Sequence, residues 1–260
     1  MSVRSAFAWL AHCRPELCCA INRDAQVTTS TFREKHLKEL NQVIKHANAT
    51  QTLSLMYAPL EVETLHLGVY ADASFASNDY LSSQPVYIVL LCDGHSRCHV
   101  MNYSSSKSRR VVKSIMAAEV YAFADAFDAA FIVKNDFERI YDQHLPLVML
   151  TDSKQTFDVI TRASHTTEKR LIIDVAATRE AYKRYETSNV GLVRSEQNPA
   201  DVLTKPQVCG ALDATLCMGM DVNPVEQWVT RNETMAASAT ETMTTAERTD
   251  GRSGEKDPGV

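Results

Sequence analysis

The 260-residue chain lacks any apolar run long enough to cross a bilayer. Its longest apolar runs, such as VYIVLL and LPLVML, fall far short of the roughly 20 residues that a transmembrane helix needs. Near the N-terminus, Arg14 and Glu16 interrupt the apolar stretches early, so we expect no signal peptide. We therefore expect an intracellular protein, cytoplasmic or nuclear, with no membrane partner.

A disulfide framework is also missing. The seven cysteines are an odd set with uneven spacing, including the adjacent pair Cys18 and Cys19, and they match no zinc-binding pattern. We expect reduced, buried thiols. The chain has no P-loop, no Gly-x-Ser-x-Gly motif and no histidine cluster, so nothing in it points to those common enzyme classes.

An excess of positive charge is absent as well, since the net charge is −5. Taken alone, this value argues against a nucleic-acid partner. The region from His66 to Pro206, however, carries nearly equal numbers of acidic and basic residues, and the remaining acidity lies after it. If four candidate metal ligands in this region are set aside, the rest is mildly basic, which is compatible with a phosphate-backbone substrate.

The apolar periodicity predicts helices first and a sheet afterwards. Two helices are predicted at Ser5 to Arg23, with a break at Pro15, and at Phe32 to Ala47. From His66 the pattern alternates as in strands, and the first three strands read as an antiparallel meander. The later elements are a helix at 114–132, a strand in LPLVML, helices at 153–161 and 168–185, a strand in NVGLVRSE and a short final helix. This order predicts an α/β (α+β) fold with helices covering a mixed sheet.

Four regions are expected along the chain. Residues 1–63 form a helical segment, residues 64–206 form the main domain, and residues 207–230 are a linker or terminal helix. Residues 231–260 are rich in Thr, Glu, Ser and Gly, and we expect them to be disordered.

Four carboxylates lie in four separate segments that could project them into one site. They are Asp72 in GVYADASFA, Glu119 in SIMAAEVYAFADA, Asp152 in PLVMLTDSKQ and Asp201 in SEQNPADVLTKP. Hard divalent cations need oxygen ligands, and a pair of such cations can clamp a phosphodiester for in-line attack by water. The set therefore indicates a metal-dependent phosphodiesterase.

Each carboxylate also has a plain structural alternative. The structural alternative for Asp72 is a strand-end residue that caps a turn. The alternative for Glu119 is a position on a solvated helix face. Asp152 is otherwise the N-cap of the following helix, and Asp201 is favoured near a helix N-terminus by the helix dipole. For the basic, serine-rich run that contains Lys107 and Arg109, the alternatives are a solvated loop and contact with a phosphate backbone.

Taken together, these segments resemble the ribonuclease H domain at the C-terminal end of copia-type retrotransposon polyproteins. The matching stretches are YADASFA, SIMAAEVYA, LTDSKQTFDVI, EKRLIIDV and NPADVLTKP, in that order between about Leu65 and Pro206. The resemblance implies a ribonuclease H-like mixed five-stranded sheet flanked by helices. Less specifically, SAFAWLAHCRPELCCAINR and the helix after it look like the segment that follows the reverse transcriptase palm in the same polyproteins.

The resemblance also implies a function, namely hydrolysis of the RNA strand of RNA–DNA hybrids. By resemblance, Asp72, Glu119, Asp152 and Asp201 would hold two Mg²⁺ ions, with Mn²⁺ as a substitute. One ion would activate the attacking water, and the other would stabilise the leaving 3′ oxygen.

Substrate binding is assigned to four further residues. We expect Ser74, Lys107, Arg109 and Ser153 to contact the hybrid, which such an enzyme recognises through its backbone and the ribose 2′-hydroxyls.

The sequence departs from the family in several places. Phe75 takes the place of the usual aromatic after the first Asp motif, and SNDYLSSQP replaces a Gly-rich, basic stretch. There is no Tyr-x-Asp-Asp polymerase motif, so we expect a fragment or separately retained domain, with a polymerase domain outside this chain as a possible partner. The alternative function is an inactive or truncated domain that only binds nucleic acid or another partner. A general ribonuclease H-like nuclease or integrase is disfavoured, because those enzymes usually present three acids.

Overall fold

The computed structural model describes residues 3–78, 81–161 and 168–204, together with positions 212, 215, 216, 219 and 225–229. The predicted disordered tail, 231–260, lies outside the described residues, as does most of the segment 207–230. The expected domain boundaries remain predictions.

A mixed sheet of six strands forms the centre of the described part of the chain, in the order β3-β2-β1-β4-β5-β6. The first three strands pair antiparallel, β4 and β5 run parallel to β1, and β6 is antiparallel to β5. The strands are β1 His66–Ser74, β2 Gln84–Cys92, β3 Cys98–Ser105, β4 Leu147–Thr151, β5 Asn189–Val193 and β6 Val225–Trp228. The predicted α/β fold class with helices flanking a mixed sheet is confirmed, with one strand more than the five expected.

The helices lie close to their predicted positions. They are α1 Val3–Leu10, α2 Cys18–Ala25, α3 Glu34–Ala49, α4 Ile115–Tyr141, α5 Lys154–Thr161 and α6 Ile172–Lys183. The helix predicted to end at Ile132 continues for nine more residues. Its last turns carry an ion pair between Lys134 and Glu138 (2.7 Å) and a ring contact between Phe137 and Tyr141, so polar and aromatic contacts extend it where the apolar stripe weakens. The predicted final short helix is a 3₁₀ turn, Asp201–Thr204.

The sheet buries apolar side chains on both faces. On one face, alternate residues of β1 (Leu67, Val69 and Ala71) pack with Phe123 of α4 and Phe157 of α5. On the other face, the strand residues that alternate with these, such as Tyr70 of β1 and Ile88 of β2, pack with the 3₁₀ turn at 201–204. This two-sided burial explains why the central strands read as nearly continuous apolar runs.

The N-terminal segment packs against this second face. Cys18 of α2 is half-buried in its apolar cluster, and the Tyr103 hydroxyl on β3 donates to the Ala11 carbonyl at 2.8 Å. Gln84, at the start of β2, donates to Asn22 of α2 at 3.3 Å. The segment is thus joined to the sheet by both apolar and polar contacts.

The sixth strand lies within the segment assigned to a linker or terminal helix. Val225–Trp228 pairs with β5, and Trp228 is opposite Gly191. A Cβ at Gly191 would come within 2.8 Å of Leu150 and 2.9 Å of Val225, so β6 can approach β5 only because residue 191 has no side chain. Four residues, three of them exposed, are too short a run and show too little alternation to predict such a strand.

Among the described residues, no helix combines the length and the apolar character needed to cross a membrane.

Candidate active site

Two of the four predicted carboxylates come from neighbouring parallel strands that end together. Ala71 of β1 is opposite Thr151 of β4, and the next residues along the two strands are Asp72 and Asp152. Adjacent strands lie about 4.8 Å apart, so the register places these two aspartates side by side. Asp72 is buried, with 7% of its surface exposed, and Asp152 is partly exposed.

Asp152 is not the cap of the helix that follows it. Helix α5 is capped by Ser153, whose Oγ accepts from the Thr156 backbone N–H at 3.3 Å and whose carbonyl accepts from Phe157. The Asp152 carboxylate is therefore not used to start the helix, and the N-cap alternative for this residue is wrong.

Glu119 reaches the same region from α4. Ser114 fixes the start of this helix, because its Oγ accepts from the Ala117 N–H at 3.1 Å and also donates to Glu168 at 2.6 Å. Glu119 lies in the second turn, is only 8% exposed, and belongs to a helix that packs on β1 and β2. The alternative of a solvated helix face is wrong for this residue.

Asp201 opens the 3₁₀ turn that lies over the second face of the sheet. The Thr204 hydroxyl lies 2.6 Å from the Asp201 carbonyl and 3.3 Å from Asp72 Oδ2. Through Thr204, this turn is held against the end of β1, which brings Asp201 into the neighbourhood of the other acids.

Asn198 was not identified from the sequence, although it belongs to the same NPAD stretch. Its side chain is fully buried, and its Nδ2 group donates to the Ala71 carbonyl and to Asp152 Oδ1, both at 3.2 Å. Its Oδ1 accepts from the Ala200 N–H at 3.0 Å. One amide thus links the ends of β1 and β4 to the loop that carries Asp201.

The four carboxylates influence one another electrostatically. Burial, followed by the negative charges of Asp152 and Asp201, raises the pKa of Asp72 to about 7. Burial, followed by the charges of Asp72 and Asp152 and a smaller contribution from Asp201, raises the pKa of Glu119 to about 9. The backbone N–H of Ala73 opposes both shifts, because it stabilises the ionised form of each carboxylate.

The donor atoms of the four acids are of the type that a hard divalent cation prefers. All four side chains offer carboxylate oxygens, two of them are buried, and the repulsion that raises their pKa values is the kind that a bound cation offsets. Within the described residues, however, no three acidic, histidine or cysteine side chains are gathered closely enough to hold an ion. The acids therefore share an electrostatic environment without forming a tight ligand cluster.

The four predicted substrate-binding residues lie in different settings. Ser74 ends β1, two residues after Asp72, and Ser153 follows Asp152 but uses its Oγ as the α5 cap. Lys107 and Arg109 are exposed in the loop between β3 and α4, where they line a cavity of about 520 Å³. Their assignment to a substrate remains a prediction.

Comparisons with known proteins bear on the sequence resemblance. No protein-family model matches the chain. Over 119 residues, 45% of its length, the chain is 33% identical to the retrovirus-related Pol polyprotein from transposon RE1 of Arabidopsis thaliana. The predicted resemblance to a retrotransposon polyprotein is confirmed. The matched region spans only 8% of that relative's length.

Solved ribonuclease H structures also resemble the chain. An RNase H1 isolated from compost by a metagenomic approach matches with a TM-score of 0.40 and 15% identity, over 53% of this chain and 91% of that one. The RNase H1 of the halophilic archaeon Halobacterium salinarum matches with a TM-score of 0.36 and 18% identity, over 53% and 93% of the two chains.

Proposed function

We propose that this chain is a ribonuclease H-type hydrolase that cleaves the RNA strand of RNA–DNA hybrids. The observation that supports the proposal is that acids from four separate elements share one electrostatic environment at one end of the sheet, without forming a tight ligand cluster. Two of these acids, Asp72 and Glu119, are buried and have raised pKa values. Burial of two carboxyl groups beside other acids is costly for folding alone, so it favours a functional role. The hybrid substrate follows from the sequence resemblance to retrotransposon polyproteins.

Two divalent cations, Mg²⁺ or Mn²⁺, would be held by Asp72, Glu119, Asp152 and Asp201. When bound, they would supply a nucleophile at neutral pH and stabilise charge on the phosphate oxygens. The contribution of the chain is to position the ligands. Asn198 directs the Asp152 carboxylate through a 3.2 Å hydrogen bond.

Thr204 and the Ala73 N–H act on Asp72 in a similar way. The Thr204 hydroxyl lies 3.3 Å from Asp72 Oδ2, and the Ala73 N–H favours the ionised form of Asp72 and of Glu119. Partners of this kind orient carboxylate ligands and keep them in the protonation state that a cation needs.

The decisive experiment is Mg²⁺-dependent cleavage of an end-labelled RNA–DNA hybrid by wild type and by Asp152→Asn. We expect wild type to cut the RNA strand and Asp152→Asn to lose at least about 100-fold in rate, since even partners of metal ligands are typically worth 10–100-fold. The matched control is Asp142→Asn. Asp142 is exposed at the C-terminal end of α4 in a left-handed conformation that asparagine also adopts, so this variant should cleave like wild type.

Two other results of this experiment would contradict part of the proposal. If wild type binds the hybrid but does not cleave it with Mg²⁺ or Mn²⁺, the enzyme proposal is wrong and the alternative of a binding module stands. If Asp152→Asn cleaves as fast as wild type, the assignment of Asp152 is wrong while the activity remains.

A further inference from the structure

A groove of about 520 Å³ lies between the N-terminal segment and the main sheet. One wall is the end of α2, and the other is formed by the loop after β3 together with α4. We call it the α2 groove, and its defining residues are Asn22, Gln26, Pro85, Lys107, Arg109 and Tyr121. Its volume falls within the range of ligand-binding clefts.

The α2 groove opens at the same end of the sheet as the candidate active site. Asp72 of β1 pairs with Val86 of β2, and Val86 pairs with Ser105 of β3, so the three residues form one row across the strands. Pro85 and Ser106, next to this row, line the groove. Two strand spacings separate β1 from β3, which places the groove on the order of 10 Å from the carboxylates.

A buried hydrogen-bond network fixes α2 at this position. Gln84 is fully buried, and its Nε2 group donates to Ser105 Oγ at 3.0 Å and to Asn22 Oδ1 at 3.3 Å. The Ser105 hydroxyl in turn donates to the Leu203 carbonyl at 2.6 Å, in the turn that begins with Asp201. The network therefore connects α2 to the element that carries an active-site acid.

The same network orients the amides on the α2 wall. Asn22 Oδ1 accepts from Gln26 at 2.9 Å as well as from Gln84, and neither bond uses the Asn22 Nδ2 group. Amide N–H groups of this kind are common partners of phosphate oxygens.

The facing wall is basic. Lys107, Arg109 and Arg110 all line the groove, and among the described lining residues Asp125 is the one carboxylate. Arg110 is held by both oxygens of Asp174 at 3.2 Å and lies 4.7 Å from the centre of the Tyr121 ring. Lys107 and Arg109 are exposed, so the groove presents positive charge to solvent.

We propose that the α2 groove binds the phosphodiester backbone of the hybrid, with α2 as one wall and the Lys107–Arg109 loop as the other. This inference rests on the proposed function and adds a role for the N-terminal segment. The segment would then be part of the substrate-binding surface, with Asn22 and Gln26 in contact with the hybrid backbone beside the candidate acids.

The test uses Gln26, because a charge placed there acts from the α2 wall alone. Gln26→Glu and Gln26→Lys carry opposite charges, and Gln42→Glu and Gln42→Lys make the same changes at an exposed position on α3, outside the α2 groove. Binding of a fluorescent RNA–DNA hybrid is measured by anisotropy with EDTA, over a series of salt concentrations, for the full chain. The melting temperature of each variant checks that it is folded.

The expected result is a pair of opposite shifts. Gln26→Glu weakens hybrid binding about threefold and Gln26→Lys strengthens it by a similar factor, as expected for one charge within several ångströms of a phosphate in water. The slope of log K against log salt steepens by about 0.9 for Gln26→Lys. The two Gln42 variants bind like wild type.

The inference is overturned if the Gln26 variants bind like wild type, or if the Gln42 pair shifts the affinity equally. Hybrid cleavage with Mg²⁺ is measured in parallel, so the two proposals are separable. Cleavage without any Gln26 effect overturns the groove alone, whereas Gln26-dependent binding without cleavage overturns the proposed activity alone.

Discussion

At the scale of single residues, the candidate site depends on two side chains that are not acids. Ser153 caps α5 and so leaves Asp152 available, and Asn198 ties Asp152 to the end of β1. The sequence singles out Asp72 and Asp152 by their positions after apolar strands and Glu119 by its apolar helix side, whereas Asp201 stands out only through the NPADVLTKP resemblance. Asn198 and Thr204 were not predictable, since their roles depend on how β1, β4 and the 3₁₀ turn meet in space.

The raised pKa of Glu119 predicts a pH-dependent effect of Glu119→Gln. The folded protein holds the Glu119 proton more tightly than the unfolded chain does. That stabilisation is complete below the usual glutamate pKa and is lost as the pH rises toward about 9. Glutamine stays neutral, so the stability of the variant should be close to that of wild type at pH 5 and several kcal/mol higher at pH 9. Urea unfolding with EDTA at the two pH values measures this difference.

Glu138 provides a control of opposite sign. Its pKa is lowered, although burial acts against this, by the Lys134 hydrogen bond, the Leu145 N–H, and the charges of Lys134 and His144. Its stabilising effect is present above the usual glutamate pKa, so Glu138→Gln should lower stability at pH 7 and have less effect at pH 3. Equal pH profiles for Glu119→Gln and wild type would contradict the burial of an uncompensated acid at this position.

At the scale of elements, the long helices and central strands were predictable because their apolar patterns are regular over many residues. The sequence prediction failed for two elements whose formation depends on contacts between side chains or between strands. Helix α4 runs nine residues past its predicted end, and β6 forms where no strand was expected. Side-chain contacts stabilise the end of α4, and pairing with β5 stabilises β6, although the local apolar pattern of both segments is weak.

Gly191→Ala tests the pairing of β6. The added carbon would meet Leu150, Val225 and the Trp228 ring within 3.2 Å, so we expect a loss of about 1–3 kcal/mol from overpacking. Hydrogen exchange at the Val229 amide, which donates to Val190 at 3.0 Å, should become faster. In the control Gly94→Ala, the nearest atoms to the added carbon belong to Thr64, far from β6 in the sheet, and exchange at Val229 should not change. Unchanged exchange in Gly191→Ala would mean that β6 does not pack closely on β5.

At the scale of the whole molecule, the N-terminal segment is joined to the sheet through Gln84. The sequence predicted helices in this segment but gave no sign of where they pack, because Gln84 looks like an ordinary polar residue before Pro85. Only the register of β1, β2 and β3 shows that this glutamine is fully buried between α2 and the site.

Gln84→Leu should therefore loosen α2 from the sheet. The change leaves the buried Asn78 amide without its 2.6 Å acceptor and removes the contact with Asn22, which we expect to cost about 2 kcal/mol. Hydrogen exchange in α2 should accelerate more than exchange in β1. Gln51→Leu, at an exposed turn, should leave both unchanged. Uniform acceleration across both elements would indicate a general loss of stability and would contradict a specific attachment of α2.

The Asn198 side-chain amide matters for judging whether a related sequence that has accumulated mutations still has an intact site. A copy that kept Asp72, Glu119, Asp152 and Asp201 but had lost Asn198 would pass a test based on acids alone. It would still lack the link that aligns the ends of β1 and β4 with the Asp201 loop. Intactness of this site therefore depends on uncharged positions such as Asn198 as well as on the four acids.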